Sequence, residues 1–550
     1  MKIVIDNISD GEVLNYPILL IRGKIENVDT LSLDEYGNES ISSKGQIFLT
    51  HTSDGHRDKE YLQSIPVQYF GDTVAKFKFL LPLKIGINYI SLEYFRIRRS
   101  LTIRFRPEHQ TQNHLIKLLY IVCADSEGDF QSPYEEVNVD IETNNGGKDN
   151  RPTERNDVAS AKKRISLAAS IIQCILAESL EVHGFGRKTI QFYGDDSKEK
   201  SKDFYFPYPD THVFKSRLTT SEVYKMDQRQ LWEYHAKEVI SSEPSGDSQF
   251  GNQKLKYIAI HSATRYTCNS EDEVAVTHAE VLARTKGHAS IGGGDFALIG
   301  SGCLHTWPEN LCDVISTFEN TTKIDSLKFM DDSAYRKTIG GCFATTLGSL
   351  IHELGHTFDL GHANNGFMAR GFDDIDKFFT LSSKTSRSEN TSQTPTLCCM
   401  TSHNDQSNPS SFCNTSSPIL AGAISKGTSY LEQYQQKQYY RRMQNEFGNA
   451  FWDKSSATIL SAHKWLNVSA SIEVENRIKY SSNIKSIQCK GSTFLLLEFR
   501  DKNDNILDFV DLSGENCDFI DLCPYIKQLG SKFNTFLCIS CDGELLKTQI

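Results

Sequence analysis

Three histidines and one glutamate between residues 352 and 362 of this 550-residue chain have the types and spacing to hold and use a metal ion. His352 and His356 are four residues apart, so on a helix their imidazoles lie on one face, one turn apart. His362 follows six residues later, and Gly361 before it gives the backbone freedom to leave the helix and return. Three neutral imidazoles leave a fourth tetrahedral position for water, as in catalytic zinc sites. We therefore predict one catalytic Zn²⁺.

Glu353, directly after the first histidine, is the predicted general base. Bound zinc lowers the pKa of its water toward about 7, and a nearby carboxylate can take the proton and later pass it to a leaving amine. The expected reaction is metal-assisted hydrolysis of an acyl bond. The alternative is a surface helix that carries these histidines incidentally.

Residues 352–362 resemble the metzincin signature HExxHxxGxxH, with one departure. Asp359 stands where most members have the glycine that marks the end of the helix, although Asp tolerates the left-handed conformation better than most residues. Metzincins also place a methionine turn beneath the zinc, and Met368 in Gly366-Phe-Met-Ala-Arg-Gly resembles it. Met400 in Leu397-Cys-Cys-Met is the rival candidate, and ordinary core packing is the third interpretation. The resemblance implies a zinc peptidase fold.

Further segments resemble a little-characterised family of eukaryotic zinc metallopeptidases, some fungal members of which carry a C-terminal jacalin-like lectin domain. The similarity reaches to about Trp465 and is most specific between about Thr285 and Asp374. It implies a peptidase without naming a substrate. The segments that carry it are Lys286–Gly294, Gly302–Pro308, His362–Asp374, Trp452–Ala457 and His463–Trp465.

The strand before the active helix is a second element that the resemblance interprets. In metzincins an edge strand there pairs with the substrate backbone, and Phe296–Gly300 lies where that strand is expected. Strand addition suits peptide substrates, because main-chain hydrogen bonds bind while side-chain pockets discriminate. The alternative is a buried strand without substrate contact. Gly292–Gly294 lack the lysine and spacing of a nucleotide loop, which favours a tight turn.

Other polar residues have two interpretations each. His278, His288 and His305 could shape a cleft or polarise a carbonyl, but structural hydrogen bonding is favoured for each. Some metzincins use a tyrosine two residues after the methionine to stabilise the oxyanion, whereas Arg370 holds that position here, so the oxyanion partner stays unassigned. Buried thiols are favoured over a second zinc site for the four C-terminal cysteines Cys517, Cys523, Cys538 and Cys541.

The elements around these residues predict three domains. Short β-branched and aromatic runs in residues 1–109 predict a β-sandwich. Residues 110–466 alternate helices and strands, which predicts an α/β metzincin-like domain; a Ser/Thr-rich surface insertion interrupts it at residues 382–417. Residues 467–550 return to strands and predict a small β-domain. Within the central domain the patterns predict helices near 157–183, 221–241, 428–465 and from 337, with strands at 189–193 and 256–261.

Composition excludes some partners. The chain has 59 basic and 70 acidic residues and a net charge of -11, so no basic field favours nucleic acid or anionic lipid. The most apolar long run, near Ile165 to Leu180, is interrupted and amphipathic, and we expect no membrane span. The first residues lack the apolar region of a secretory signal. With 14 scattered cysteines, this favours reduced thiols and a cytoplasmic location.

Three functions are consistent with these features. The leading one is an endopeptidase or aminopeptidase that acts on cytosolic peptides or proteins. A zinc hydrolase of a non-peptide acyl bond is the second, because the same water and glutamate could cleave an acylated amino acid. A binding or scaffold protein with a vestigial zinc site is the third, and retention of Glu353 argues against it. The sequence does not indicate the oligomeric state.

Overall fold

The computed structural model describes residues 1–27, 45–53, 61–70, 74–107, 113–133, 155–194, 209–242, 254–268, 275–381, 430–467 and 477–550. These residues form a mixed α/β structure with several sheets. Contacts group residues 1–360, 365–381 and 443–473 into a first unit, while a second unit includes residues 361–364 and 474–550. The three-domain division stays a prediction. Met400 and the predicted insertion at 382–417 lie outside the described residues.

Two sheets form in the N-terminal part of the first unit, with strand orders β1-β3-β7-β6 and β2-β9-β8-β4-β5. Their strands are β1 (Lys2–Ile5), β2 (Val13–Leu14), β3 (Ile18–Glu26), β4 (Gln46–Ser53), β5 (Tyr61–Pro66), β6 (Gln68–Phe70), β7 (Val74–Pro82), β8 (Gly86–Tyr94) and β9 (Ile97–Phe105). In β8, Ile90, Leu92 and Tyr94 are buried while the residues between them are more exposed. This alternation is typical of a strand with one buried face.

The middle of the chain alternates helices and strands. These elements are β10 (His114–Val122), α1 (Val158–Val182), β11 (Thr211–Lys215), α2 (Thr220–Val223), α3 (Gln228–Ser242), β12 (Lys254–His261), β13 (Arg265–Tyr266), α4 (His278–Ala283), β14 (Thr285–Lys286), β15 (Ser290–Gly293), β16 (Phe296–Gly300), α5 (Val314–Phe318), α6 (Ile339–Thr357), α7 (Asp376–Phe379), α8 (Tyr430–Phe447) and α9 (Lys454–Ala462), with 3-10 turns at Leu304–Thr306, Leu311–Asp313 and Arg370–Asp374. The helices predicted near 157–183 and from 337 and the strand predicted at 256–261 are present as α1, α6 and β12, whereas the helix predicted over 428–465 is divided into α8 and α9 and residues 189–193 form no strand. Two helices, α2 and α3, replace the one predicted over 221–241, and within 189–193 Phe192 forms an isolated bridge to Ile116.

A five-stranded sheet of order β11-β10-β12-β16-β15 underlies helix α6. Its first four strands are parallel, and the three inner ones, β10, β12 and β16, are largely apolar and buried, as expected for strands covered on both faces. The last strand, β15, pairs antiparallel with β16 through the two-residue turn Gly294-Asp295. Of the turn predicted at Gly292–Gly294, only Gly294 lies in it, because Gly292 and Gly293 belong to β15. Phe296–Gly300 was therefore wrongly predicted as the edge strand: β16 has a neighbour on each side, and Ser290–Gly293 forms the edge.

Helix α1 is the longest apolar helix. It begins after Asp157, whose side chain accepts a hydrogen bond from the Ser160 N–H, and ends at His183, close to the predicted bounds. By length and composition alone it could cross a bilayer, but 89% of its most apolar window is buried inside the protein. A buried core helix passes the same test, so its apolar surface is accounted for by packing.

The C-terminal residues form two sheets of order β17-β18-β21 and β20-β19-β22-β23. Their elements are β17 (Ile478–Ser481), β18 (Ser486–Cys489), β19 (Phe494–Arg500), β20 (Ile506–Asp511), β21 (Phe519–Asp521), α10 (Cys523–Leu529), β22 (Thr535–Ser540) and β23 (Leu545–Gln549), with a 3-10 turn at Gly530–Lys532. Phe494, Leu497, Phe499, Phe536 and Cys538 lie in one core cluster between these elements. The loop between β19 and β20, residues 501–505, contains Asp504, whose carbonyl accepts a hydrogen bond from the N–H of His362 in the same unit.

Candidate metal centre

Helix α6 positions the first two candidate ligands. It begins at Ile339, two residues after the predicted start, and the side chain of the preceding Thr338 accepts a hydrogen bond from the Gly341 N–H. Apolar residues at helical spacing, among them Leu347, Leu350, Ile351 and Leu354, are buried and orient the helix. With that face fixed, the rings of His352 and His356 meet with their Nε2 atoms 3.1 Å apart.

Two backbone carbonyls define the protonation of these rings. His352 Nδ1 lies 2.8 Å from the carbonyl oxygen of Phe367, and His356 Nδ1 lies 3.0 Å from that of Leu360. A carbonyl only accepts, so each Nδ1 carries the hydrogen and each neutral ring directs an Nε2 lone pair at the other. A shared cation resolves this repulsion. Tetrahedral zinc with bonds of 2.0–2.1 Å separates its nitrogen ligands by about 3.3 Å, close to the observed spacing.

The helix ends in a tight turn that returns the chain to the same place. Asp359 has φ of 61°, the left-handed conformation considered above for an aspartate at this position. The Asp359 N–H donates to the His356 carbonyl and the Leu360 N–H to that of Gly355, which closes the last helical turn. Beyond it, one ring nitrogen from each of His352, His356 and His362 lies within 4.8 Å of the others. Among the described residues these three histidines are the group able to hold a metal.

Glu353 is held by the edge strand β15. Ser290 Oγ donates to Glu353 Oε1 at 3.3 Å and lies 2.8 Å from Ser349 Oγ, and the Gly292 N–H also donates to this carboxylate. Burial raises the pKa of Glu353 to about 7, while the hydrogen bonds from Ser290 and Gly292 act in the opposite direction. A carboxyl group with a pKa near neutrality can both accept and return a proton.

Gly292 also sets the distance between β15 and α6. A Cβ atom placed on it would lie 2.6 Å from the carbonyl carbon of Glu353 and 2.9 Å from its Cα atom. Real Cβ atoms do not approach backbone this closely, so only glycine permits the strand to lie against the helix here. Gly293 has no such constraint, because its nearest neighbour would be the Trp232 ring at 3.8 Å.

Met368 lies beneath the helix that carries the histidines. Its side chain is fully buried, and its Sδ would be 2.6 Å from a Cβ atom on Gly355, the residue before His356. The preceding residue, Phe367, supplies the carbonyl that accepts from His352. The assignment of Met368 to a methionine turn stays a prediction. The rival, Met400, lies outside the described residues.

The other candidate histidines lie elsewhere. His278 Nδ1 is 3.6 Å from Asp332, His305 packs against Phe329 with ring centroids 5.2 Å apart, and burial lowers the pKa of both His288 and His305 to about 4. Within the described part of the chain none of the three joins the converging nitrogens. The structural role favoured for the three histidines stays a prediction.

The structure also shows the surroundings of Arg370 and of the C-terminal cysteines. Arg370 pairs with both carboxylate oxygens of Asp373 and lies over the Phe372 ring at 4.7 Å, and that ring is 5.3 Å from His352. Cys538 is buried in β22 whereas Cys523 and Cys541 are exposed, and the metal-binding group found in the described residues contains no cysteine.

Sequence reasoning missed the residues that orient the site. Gly292 was assigned only to a glycine-rich turn, Ser290 was included only in a segment that carries the family resemblance, and the carbonyls of Phe367 and Leu360 carry no side-chain signal. The one available signal was Ser290 itself, a polar residue two positions before Gly292, since alternate residues of a strand share a face.

Solved structures show weak likeness to this chain. Wild-type OgpA from Akkermansia muciniphila is 12% identical with a TM-score of 0.37, and the match covers 80% of this chain and 93% of that one. A catalytically inactive OgpA from the same organism, in complex with an O-glycopeptide (glycodrosocin) substrate, is 12% identical with a TM-score of 0.38, covering 80% and 92%. A TM-score below 0.5 does not establish a common fold.

Relatives and a family are found at the level of sequence. A "Putative zinc metalloproteinase" of Saccharomyces cerevisiae is 26% identical over 304 residues, 52% of this chain and 40% of the relative. Another of that description, from Schizosaccharomyces pombe, is 24% identical over 391 residues, 69% and 54%. The chain thus spans about half the length of these relatives. The sequence model of a family described as "Putative peptidase family" matches residues 2–454, and the chain belongs to that family.

Proposed function

We propose that this chain is a zinc-dependent metallopeptidase of the metzincin type, in which His352, His356 and His362 hold one zinc ion and Glu353 is the general base. The observation that carries the proposal is the convergence of the three histidines with Nδ1 of the first two engaged by carbonyls. Membership of a peptidase family supports the reaction, and the names of the two fungal relatives support zinc.

The chain's own residues divide the catalytic work. When bound, zinc supplies a Lewis acid that activates water and polarises a carbonyl oxygen. Phe367 and Leu360 keep the two helical imidazoles neutral and oriented through their carbonyls. The Glu353 carboxylate, oriented by Ser290 and the Gly292 N–H, takes a proton from the attacking water and delivers it to the leaving amine.

Strand β15 supports a peptide as substrate. It forms the edge of the five-stranded sheet, and two of its residues contact Glu353. An extended peptide that adds to this edge would pass beside the base, with main-chain hydrogen bonds to hold it. This assigns to Ser290–Gly293 the substrate-pairing role first given to Phe296–Gly300. The cytoplasmic location and the exclusion of membrane and nucleic-acid partners stay predictions from sequence.

The test is zinc content and cleavage of a diverse peptide library by wild type and Glu353→Gln. Glutamine keeps the side-chain shape and can still accept from Ser290, so both proteins should hold about one zinc. Only the wild type should cleave, with kcat/KM lower by roughly 10²–10⁴ in the variant. Equal cleavage by both proteins would reject Glu353 as the base, and wild type without zinc would reject the metal site. Zinc retention without peptide cleavage by wild type would return the function to a non-peptide acyl hydrolase.

A further inference from the structure

The third candidate ligand is held by a part of the chain that follows it at a great distance in sequence. The His362 N–H donates to the Asp504 carbonyl at 3.0 Å, and the Ile506 N–H donates to the His362 carbonyl at 2.8 Å. The two segments thus form a parallel bridge between His362 and Asn505. By its contacts, segment 361–364 belongs to the second unit, together with residues 474–550.

Arg500 approaches the same segment from the side. A Cβ atom on Gly361 would lie 2.8 Å from Arg500 Nε, 3.0 Å from Arg500 Cζ and 2.8 Å from the Asp504 carbonyl oxygen. Glycine at position 361 therefore allows a close contact between the guanidinium, the loop and the backbone of the ligand. A side chain at residue 361 would prevent this close contact.

Arg500 is itself immobilised. Its side chain and that of Glu498 are both 0% exposed, with Arg500 Nε and Nη2 each 2.6 Å from Glu498 Oε1. Its Nη1 lies 3.1 Å from Asp504 Oδ2, to which Lys547 also donates at 3.1 Å. A fully buried, doubly paired guanidinium has little freedom, so it can fix whatever backbone it touches.

The loop that follows is internally braced. Asp501 Oδ1 accepts from the N–H groups of Asn503 and Asn505, and Asp501 Oδ2 accepts from the Asn505 side chain at 2.8 Å. Asp504 adopts the left-handed conformation with φ of 64°. The carbonyl that receives the His362 N–H therefore belongs to a loop with a defined shape.

We infer that Arg500 and the loop Asp501–Asn505 position the third zinc ligand, His362, with which they share one unit. The inference rests on the proposed function and goes beyond it, because the family match ends at residue 454 and assigns nothing to residues 500–506. Hydrogen bonds that orient metal ligands from outside the coordination sphere typically change metal affinity by 10–100-fold.

The first experiment measures zinc affinity of the full chain by competition with a chelating dye for wild type, Gly361→Ala and Gly194→Ala. Gly194 is the matched control, because a Cβ atom on it meets nothing within 4 Å. Gly361→Ala should bind zinc roughly 10–100-fold more weakly, and the control should match wild type. X-ray absorption at the zinc edge should count three imidazoles in wild type and fewer in Gly361→Ala.

The second variant removes the buried pair as a unit. The double variant Glu498→Gln with Arg500→Met removes both charges, so neither is left buried without its partner. The control is Arg477→Met, which removes the partly exposed ion pair with Asp542. The double variant should lose zinc affinity, and the control should not. Wild-type affinity and three imidazoles in folded Gly361→Ala or in the folded double variant would overturn the inference.

A third measurement needs no substitution. Zinc added to wild type should slow hydrogen–deuterium exchange at the amides of His362 and Ile506, because metal and loop stabilise the same segment. Unchanged exchange at both amides on zinc binding would overturn the coupling even if the variants did not fold. Absence of zinc binding by wild type would instead reject the proposed function, so the two failures are distinct.

Discussion

Helix α6 and the turn after it hold the three candidate ligands in place by different physical means. On the helix, the separation of His352 and His356 follows from helical geometry, and a buried apolar face sets their direction. In the turn, a left-handed Asp359 redirects the chain, and His362 is bonded to residues 504 and 506. Helical periodicity therefore accounts for the spacing of two candidate ligands, His352 and His356. The third, His362, is held by contacts with residues that are distant in sequence.

The largest expected difference between the two units is in their stability at acid pH. Burial lowers the pKa of six histidines of the first unit, of which His51 is one, whereas residues 477–550 contain no histidine. The other five have the larger shifts. The pKa is about 4 for His235, His288 and His305 and about 3 for His261 and His463. Because the unfolded pKa is about 6.5, their stabilisation is complete above it and is lost as pH falls toward 4. Each such histidine can withdraw up to about 1.4 kcal/mol per pH unit.

Hydrogen exchange followed by mass spectrometry at pH 7 and pH 5, corrected for intrinsic rates, measures this difference. Peptides from residues 254–305 should lose protection before peptides from residues 477–550. Earlier opening of the C-terminal peptides would show that carboxylates, not buried histidines, control acid stability.

Gly292→Val should have the next largest effect, because it changes the contact between β15 and Glu353 on helix α6. A side chain there meets the backbone of Glu353, so β15 must move away and release the base from Ser290. A displacement of about 1 Å at a catalytic group can cost about 100-fold in kcat/KM. Gly293→Ala is the control, with 3.8 Å to its nearest neighbour, and should retain activity. Equal activity of the two variants would show that the strand does not set the position of Glu353.

Substitutions of Met368 test how much its packing beneath helix α6 contributes to stability. Met368→Ala removes a fully buried side chain that packs at Gly355, and should lower the free energy of unfolding by about 2–5 kcal/mol. Met368→Leu keeps the volume and should cost less than about 1.5 kcal/mol. Thermal unfolding of both variants, with zinc content as a second readout, measures the difference. Similar losses for both would mean that the thioether has a role beyond packing.

Asp359 should give the smallest effect, on the turn side. Asp359→Gly should change stability by less than about 1 kcal/mol, because glycine adopts the left-handed conformation without cost. Asp359→Val should cost about 1–2 kcal/mol for the same φ. Chemical denaturation of the two variants gives the comparison, and a valine variant as stable as wild type would show that the turn tolerates another conformation.

Sequence predicted those parts of the site that depend on local spacing. The helix and the spacing of His352, Glu353 and His356 along it appear as expected in α6, while the roles of these residues as ligands and base stay predictions. The edge strand was misassigned because Ser-Ile-Gly-Gly has low strand propensity, so its pairing outside β16 is set by tertiary contact with α6. The contact of Arg500 with Gly361 was equally invisible, because pattern analysis does not reach across such separations in sequence.

Because the turn at Gly294-Asp295 has only two residues, the hairpin β15–β16 fixes which residues of β15 face Glu353. Successive residues of a strand point to opposite faces, and Ser290 and Gly292 both lie on the face that meets α6. Inserting or deleting one residue in β15 would bring the branched side chain of Ile291 to the helix backbone and carry the serine hydroxyl away from the carboxylate. A turn this short cannot absorb the shift. Homologues of altered length here should therefore change by even numbers of residues.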